Sequence, residues 1–111
     1  MAREIKESDW KVFRRLHGLA LERFSQRVLE EVRSATADCS AGYHDCYIKV
    51  YALLRRHDKT MASAFNDPKR SSAFILLASI SAEGLLTEEE LAQFSPEVLE
   101  AIEVIDCVRR A

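Results

Sequence analysis

The sequence predicts an all-α fold, and three observations carry that expectation. Its 111 residues include only 3 Gly and 2 Pro, which leaves little material for tight hairpin turns. No segment shows the β-branched alternation of strands bounded by Asn-Gly or Asp-Gly. Between Asp67 and Pro96, in contrast, one helix-boundary signal follows another. The expected architecture is a single helical domain over residues 1–111, a compact bundle of about six helices around a buried central helix at about 68–83. With 48% apolar residues the chain is sized to bury such a core without a metal or disulfides.

Ser8-Asp9 marks the start of a first long helix that runs to about Arg33, because Phe13, Leu16, Ala20, Phe24 and Val28 recur at helical steps. Val12 and Leu19 widen this stripe early, whereas Arg23, Arg27 and Glu30 occupy the same edge later. Burial should therefore be deepest near the beginning. Gly18 costs up to ~1 kcal/mol against Ala and leaves room for a close helix crossing. The stretch from Ser34 to Gly42 is small, polar and without periodicity, so 34–42 is the expected flexible loop.

A second long helix begins near Tyr43, since Tyr43, Tyr47, Val50, Tyr51, Leu54, Met61 and Phe65 share one face. Asp58 falls inside that stripe, where burying a carboxylate is costly. A break near His57-Asp58 is expected, with Asp58 starting a shorter helix to about Asn66; one unbroken helix is the alternative. Asp67-Pro68 then reads as an N-cap followed by the residue suited to a first helical position, which starts the next helix at Pro68. Phe74 to Leu77 point in four directions, the pattern of a helix covered all round. Gly84 ends it near Glu83, with Leu85 folding back against Ile80.

Thr87 and Glu90 form the two halves of a capping box, Leu86 packs on Leu91, and a short helix runs to about Gln93. In the last helix Ser95 caps, Pro96 takes the first turn, Glu97 favours the positive end of the dipole and Phe94 staples to Leu99. Arg109 and Arg110 suit its C-terminus.

The formal net charge of −2 argues against a general nucleic-acid surface. The balance is uneven, at +4 over residues 1–70 and −6 over residues 71–111, which reads first as two solvated faces that attract each other. Cys39, Cys46 and Cys107 are an odd count and fit reduced thiols better than a disulfide framework. MAREIKESDW lacks the apolar core of a signal peptide, and the run from Phe74 to Ile80 is too short to span a bilayer. A cytoplasmic, soluble chain is expected.

Candidate chemistry is sparse. Cys39, His44, Cys46 and His57 lack the paired knuckles of a structural zinc site, so no metal and no cofactor are expected. His17 lies on the apolar face of the first helix, where desolvation lowers its pKa; a core histidine is the first reading and a ligand pocket the second. Tyr43, Tyr47 and Tyr51 stand one turn apart, with apolar bodies and polar tips that suit either helix-edge packing or a partner surface. Met61 to Ile80 has the outline of a helix-turn-helix, but its second helix offers almost no polar side chains beyond Lys69, Arg70, Ser71 and Ser72. Adjacent basic residues such as Arg55-Arg56 and Lys69-Arg70 diverge by about 100° on a helix and make no patch by themselves. Glu88, Glu89 and Glu90 are a charged first helical turn. Phosphate loops, paired catalytic acids and nucleophile elbows are absent from the sequence, so no enzyme is expected. The expected function is a small helical module working through protein–protein interaction or homodimerisation, with the three tyrosines or the apolar edge of the first helix as its surface. The alternatives are a nucleic-acid-associated regulator using Arg55, Arg56, Lys69 and Arg70, and a small-ligand pocket near His17.

Overall fold

The computed structural model describes residues 4–110. Met1, Ala2, Arg3 and Ala111 lie outside the described residues, and with them the first part of the MAREIKESDW stretch. Among the described residues the regular structure is all helical: α1 (Glu7–Thr36), α2 (Tyr43–Phe65), a 3-10 turn (Arg70–Ser72), α3 (Ala73–Ala82), α4 (Glu88–Leu91) and α5 (Pro96–Arg110). No helix among them is long and apolar enough to cross a membrane.

Five α-helices stand where about six are expected, because α2 runs unbroken through His57 and Asp58. Asp58 is exposed, so its carboxylate keeps its hydration and has no need of a helix end to satisfy it. The first helix also extends beyond its expected limits. It starts from an extended Lys6 without a side-chain cap, and it continues through Ser34, Ala35 and Thr36. The connection therefore shortens from 34–42 to 37–42. Within it the Ser40 amide donates to Asp38 Oδ1 at 2.9 Å and the Gly42 amide donates to the Cys39 carbonyl at 2.9 Å.

Asp9 does not cap its own helix. It is buried, and its carboxylate accepts from the Ser95 amide at 2.9 Å and the Ser95 hydroxyl at 2.7 Å. The Ser95 side chain, expected to cap α5, is thereby turned towards α1, while the Ser95 carbonyl accepts from the Val98 and Leu99 amides. The beginnings of α1 and α5 are tied by one charge-assisted contact.

The helix expected from Pro68 begins at Ala73 instead. Asp67 adopts the left-handed φ of 51°, which denies it the extended backbone of an N-cap. A 3-10 turn follows, in which the Lys69 amide donates to Ser72 Oγ and the Ser72 hydroxyl donates to the Lys69 carbonyl, both at 3.1 Å. The other end matches expectation. Gly84 has φ 69°, its amide donates to the Ser81 carbonyl, and the Leu85 amide reaches back to the Ile80 carbonyl. The capping box also forms, with the Thr87 amide donating to Glu90 Oε1 at 2.9 Å and the Glu90 amide to Thr87 Oγ1 at 3.1 Å.

α3 packs against α1, α2 and α5. Phe13 and Leu16 of α1 meet Leu76 and Leu77 of α3 and Val98 and Ile102 of α5 in one apolar cluster. Phe24 and Val28 meet Phe65, Ile80 and Leu85 in a second. Two arginines from the later part of α1 secure the far end of α3. Arg23 forks onto Glu90 at 2.7 and 2.9 Å and also donates to the Leu85 carbonyl at 2.7 Å. Arg27 donates to the Glu83 carbonyl at 3.1 Å.

The molecule is elongated rather than the compact bundle expected, at 54 × 27 × 22 Å with a radius of gyration of 16.8 Å. A compact chain of this length has a radius near 13 Å. The extra length comes from helices that outrun the core: among the described residues between Val28 and Ala64, Cys46 alone is buried.

Gly18 makes no close crossing; it is exposed, and a Cβ there meets nothing within 4 Å. Gly18→Ala should therefore stabilise the protein by about 0.5–1 kcal/mol, read from urea unfolding; destabilisation would reveal a contact at this position.

Glu90 supplies a second expectation. The Arg23 fork and then the Thr87 amide hold its carboxyl at about 2, against an ordinary value of 4.5. Because the folded pKa is the lower one, the stabilisation is fully present above pH 4.5 and is lost as the pH falls towards 2. Glu90→Gln should flatten the dependence of the melting temperature on pH across that window. An unchanged slope would remove Glu90 as its source.

Candidate functional site

α1 and α2 double back on each other as a two-helix arm. His57 of α2 hydrogen-bonds Glu31 of α1 at 2.5 Å and stands edge-on to Phe24, while Arg56 reaches the same carboxylate at 3.7 Å. The His57 hydrogen bond is the first cause that holds the Glu31 carboxyl below its usual value. Half-buried Leu53 and Met61 pack on the second cluster, and beyond them the two helices have little between them.

The arm closes at its tip through Cys39 and Cys46, which form a disulfide with Cα atoms 5.8 Å apart. This corrects the expectation of three reduced thiols. The short connection returns the chain so directly that two cysteines seven positions apart come within bridging distance, and Cys107, exposed on α5, is left free. An odd count did not exclude one local pair. No group of three or more His, Cys, Asp and Glu suited to a metal ion occurs among the described residues.

Tyr43, Tyr47 and Tyr51 lie along the arm with 88%, 68% and 58% of their surface exposed. Not only the hydroxyls but the rings themselves stand in water, so helix-edge packing does not account for them. Ile48 and Leu54 of α2 and Leu29 of α1 are exposed as well. Phe24, Val28, Leu29, Leu54 and Met61 line a groove of about 230 Å³ between the two helices, and Asp58 also borders it. The tyrosines and this groove occupy the tip and base of one arm. Leu29 was missed because it stands outside the stripe of Phe13, Leu16, Ala20, Phe24 and Val28 and carries no signal of its own in the sequence.

His17 is placed elsewhere. Its ring lies between Phe13 and Phe65, with centroids 5.4 Å from each. Burial lowers its pKa, opposed by a main-chain hydrogen bond with Phe65, and Nε2 is a buried atom without a partner. The recess beside it, formed with Trp10, Phe13, Arg14 and Pro68, measures about 150 Å³, below the usual size of a ligand pocket. The basic residues of the nucleic-acid alternative are not assembled into one surface: Arg56 faces Glu31, Arg70 contacts Glu7 at 2.9 Å and sits over Trp10, and Lys69 contacts Asp67 at 3.0 Å. Arg55 is exposed on α2. The helix that would enter a DNA groove, α3, has most of its residues buried.

Comparison of the chain with protein-family models, curated proteins and solved structures found no match.

His17 should titrate below the 6.5 of a free imidazole in an NMR pH series. Since the folded pKa is the lower one, its contribution to stability is present above 6.5 and declines as the pH falls below it. A midpoint at or above 6.5 would mean that burial does not outweigh the hydrogen bond with Phe65.

Proposed function

We propose that the chain is a helical interaction module whose contact surface is the α1–α2 arm, centred on Tyr43, Tyr47 and Tyr51. The observation that supports this most is the exposure of three tyrosine rings in succession on a helix that has almost no core of its own. Tyrosine offers large contact area at low entropic cost, and apolar patches left in water mark contact sites. The arm also has the proportions of a docking element, since it leaves the body as two helices braced by His57–Glu31 and closed by Cys39–Cys46. Where it works in a reducing cytoplasm, as the sequence leads one to expect, those two cysteines would be thiols.

The two alternatives have less support. Three of the four basic residues put forward for nucleic acid already face carboxylates, and the recess beside His17 is small.

The test is photo-crosslinking in the source cell, with a photoreactive phenylalanine analogue at position 47 or 51 and, as control, at Arg14 on the body. Adducts with polypeptide from positions 47 and 51 and none from 14 are the expected outcome. Equal labelling from all three positions, or no adducts, would overturn the choice of surface.

A further inference from the structure

Resting on the contact-surface reading above, we infer that a second copy of this chain covers the arm: two arms pack antiparallel about a twofold axis, and together they complete a four-helix bundle that neither makes alone. Three observations select this occupant.

The first is area. The chain exposes 7700 Å². A compact monomer of 12.6 kDa exposes on the order of 6,200 Å². The excess of about 1,500 Å² per chain corresponds to about 3,000 Å² in a pair, which falls within the range of obligate dimer interfaces.

The second is layer count. Two amphipathic helices side by side form a single layer, and an apolar face on one layer is covered by a second layer of the same kind. Below the level of Val28 and Phe65 that cover comes from α3; along the rest of the arm no element among the described residues supplies it.

The third is the arrangement along α2. The tyrosines occupy the tip and the groove occupies the base, with Tyr47 and Asp58 about 16 Å apart along the helix. A twofold axis near Ala52 and Leu53 sets the tyrosines of each copy over the groove of the other. The contact is isologous, so both features are satisfied twice. It also gives Asp58, the lone carboxylate in the apolar stripe, a partner: it borders the groove and accepts from the tyrosine hydroxyl that arrives there. A net charge of −2 opposes the pairing only weakly.

Sedimentation equilibrium on the full chain decides the matter, with Tyr51→Glu and Leu54→Glu as variants. Both positions are exposed in the single chain, so a charge there leaves the monomer folded, which far-UV circular dichroism checks. The expected result is a wild-type mass twice 12.6 kDa and a dissociation constant raised at least about 30-fold in each variant, with helical content unchanged. Asp58→Ala should weaken the pair more modestly. A wild-type monomer at all concentrations overturns the inference, as does a dimer that Leu54→Glu leaves intact.

Cys107 identifies the competing geometry. It lies on α5, with Val104 and Val108 also exposed there, and an oxidative Cys107–Cys107 crosslink in a dimer insensitive to Leu54→Glu would place the interface on α5 instead. If the wild type is monomeric while positions 47 and 51 still crosslink to another polypeptide, the contact surface stands and the second copy falls.

Discussion

The apolar contacts of α3 join the two core clusters of this structure. Its ten residues are apolar on nearly every side, and a helix of that composition in water has to be covered by other helices. α1, the end of α2 and α5 provide the cover, and both apolar clusters include residues of α3. But α3 is only about 15 Å long, whereas α1 runs for about 45 Å. Cover and core end together at the level of Val28 and Phe65. Among the described residues the rest of α1 and α2 is helix without a third element beneath it, which is why the tyrosine face is bare.

Polar contacts at the ends of the helices hold this arrangement in register. Asp9 joins the starts of α1 and α5 across 86 positions of sequence, and Arg23 joins α1 to the α3–α4 connection across 62 and to α4 across 67. Arg109 of α5 meets the hydroxyl of Ser79, one of the few buried polar groups of the core, at 3.0 Å. Each contact satisfies a group that folding removes from water, so each sets position more than it adds stability.

The features that were legible in the sequence are those decided within a few residues. The Gly84–Leu85 closure and the Thr87–Glu90 box depend on neighbours alone, and both form as expected. Asp67-Pro68 is the instructive failure, because the same residue types that cap a helix also make turns, and a left-handed Asp67 moved the start of α3 to Ala73. Ser95 reads as the cap of its own helix and Ser8-Asp9 as the start of α1, but the Ser95 and Asp9 side chains instead meet each other. The periodicity of α2 correctly put Tyr43, Tyr47 and Tyr51 on one face, but periodicity states which residues share a side and never what lies opposite. Hence the break expected at Asp58, which assumed a buried stripe. The cysteine pair escaped notice for a similar reason, since counting thiols says nothing about how tightly the chain turns.

The bond between Cys39 and Cys46 bears on how the arm withstands proteases. A connection of small residues at the end of an exposed hairpin is the usual place for a cut. Here a cut between Cys39 and Tyr43 would leave the fragments covalently joined, with α1 on one, α2 on the other, and the paired helices still held at both ends. A nicked chain would separate only after reduction, so under oxidising conditions a break in the backbone at its most accessible point need not dismantle the arm.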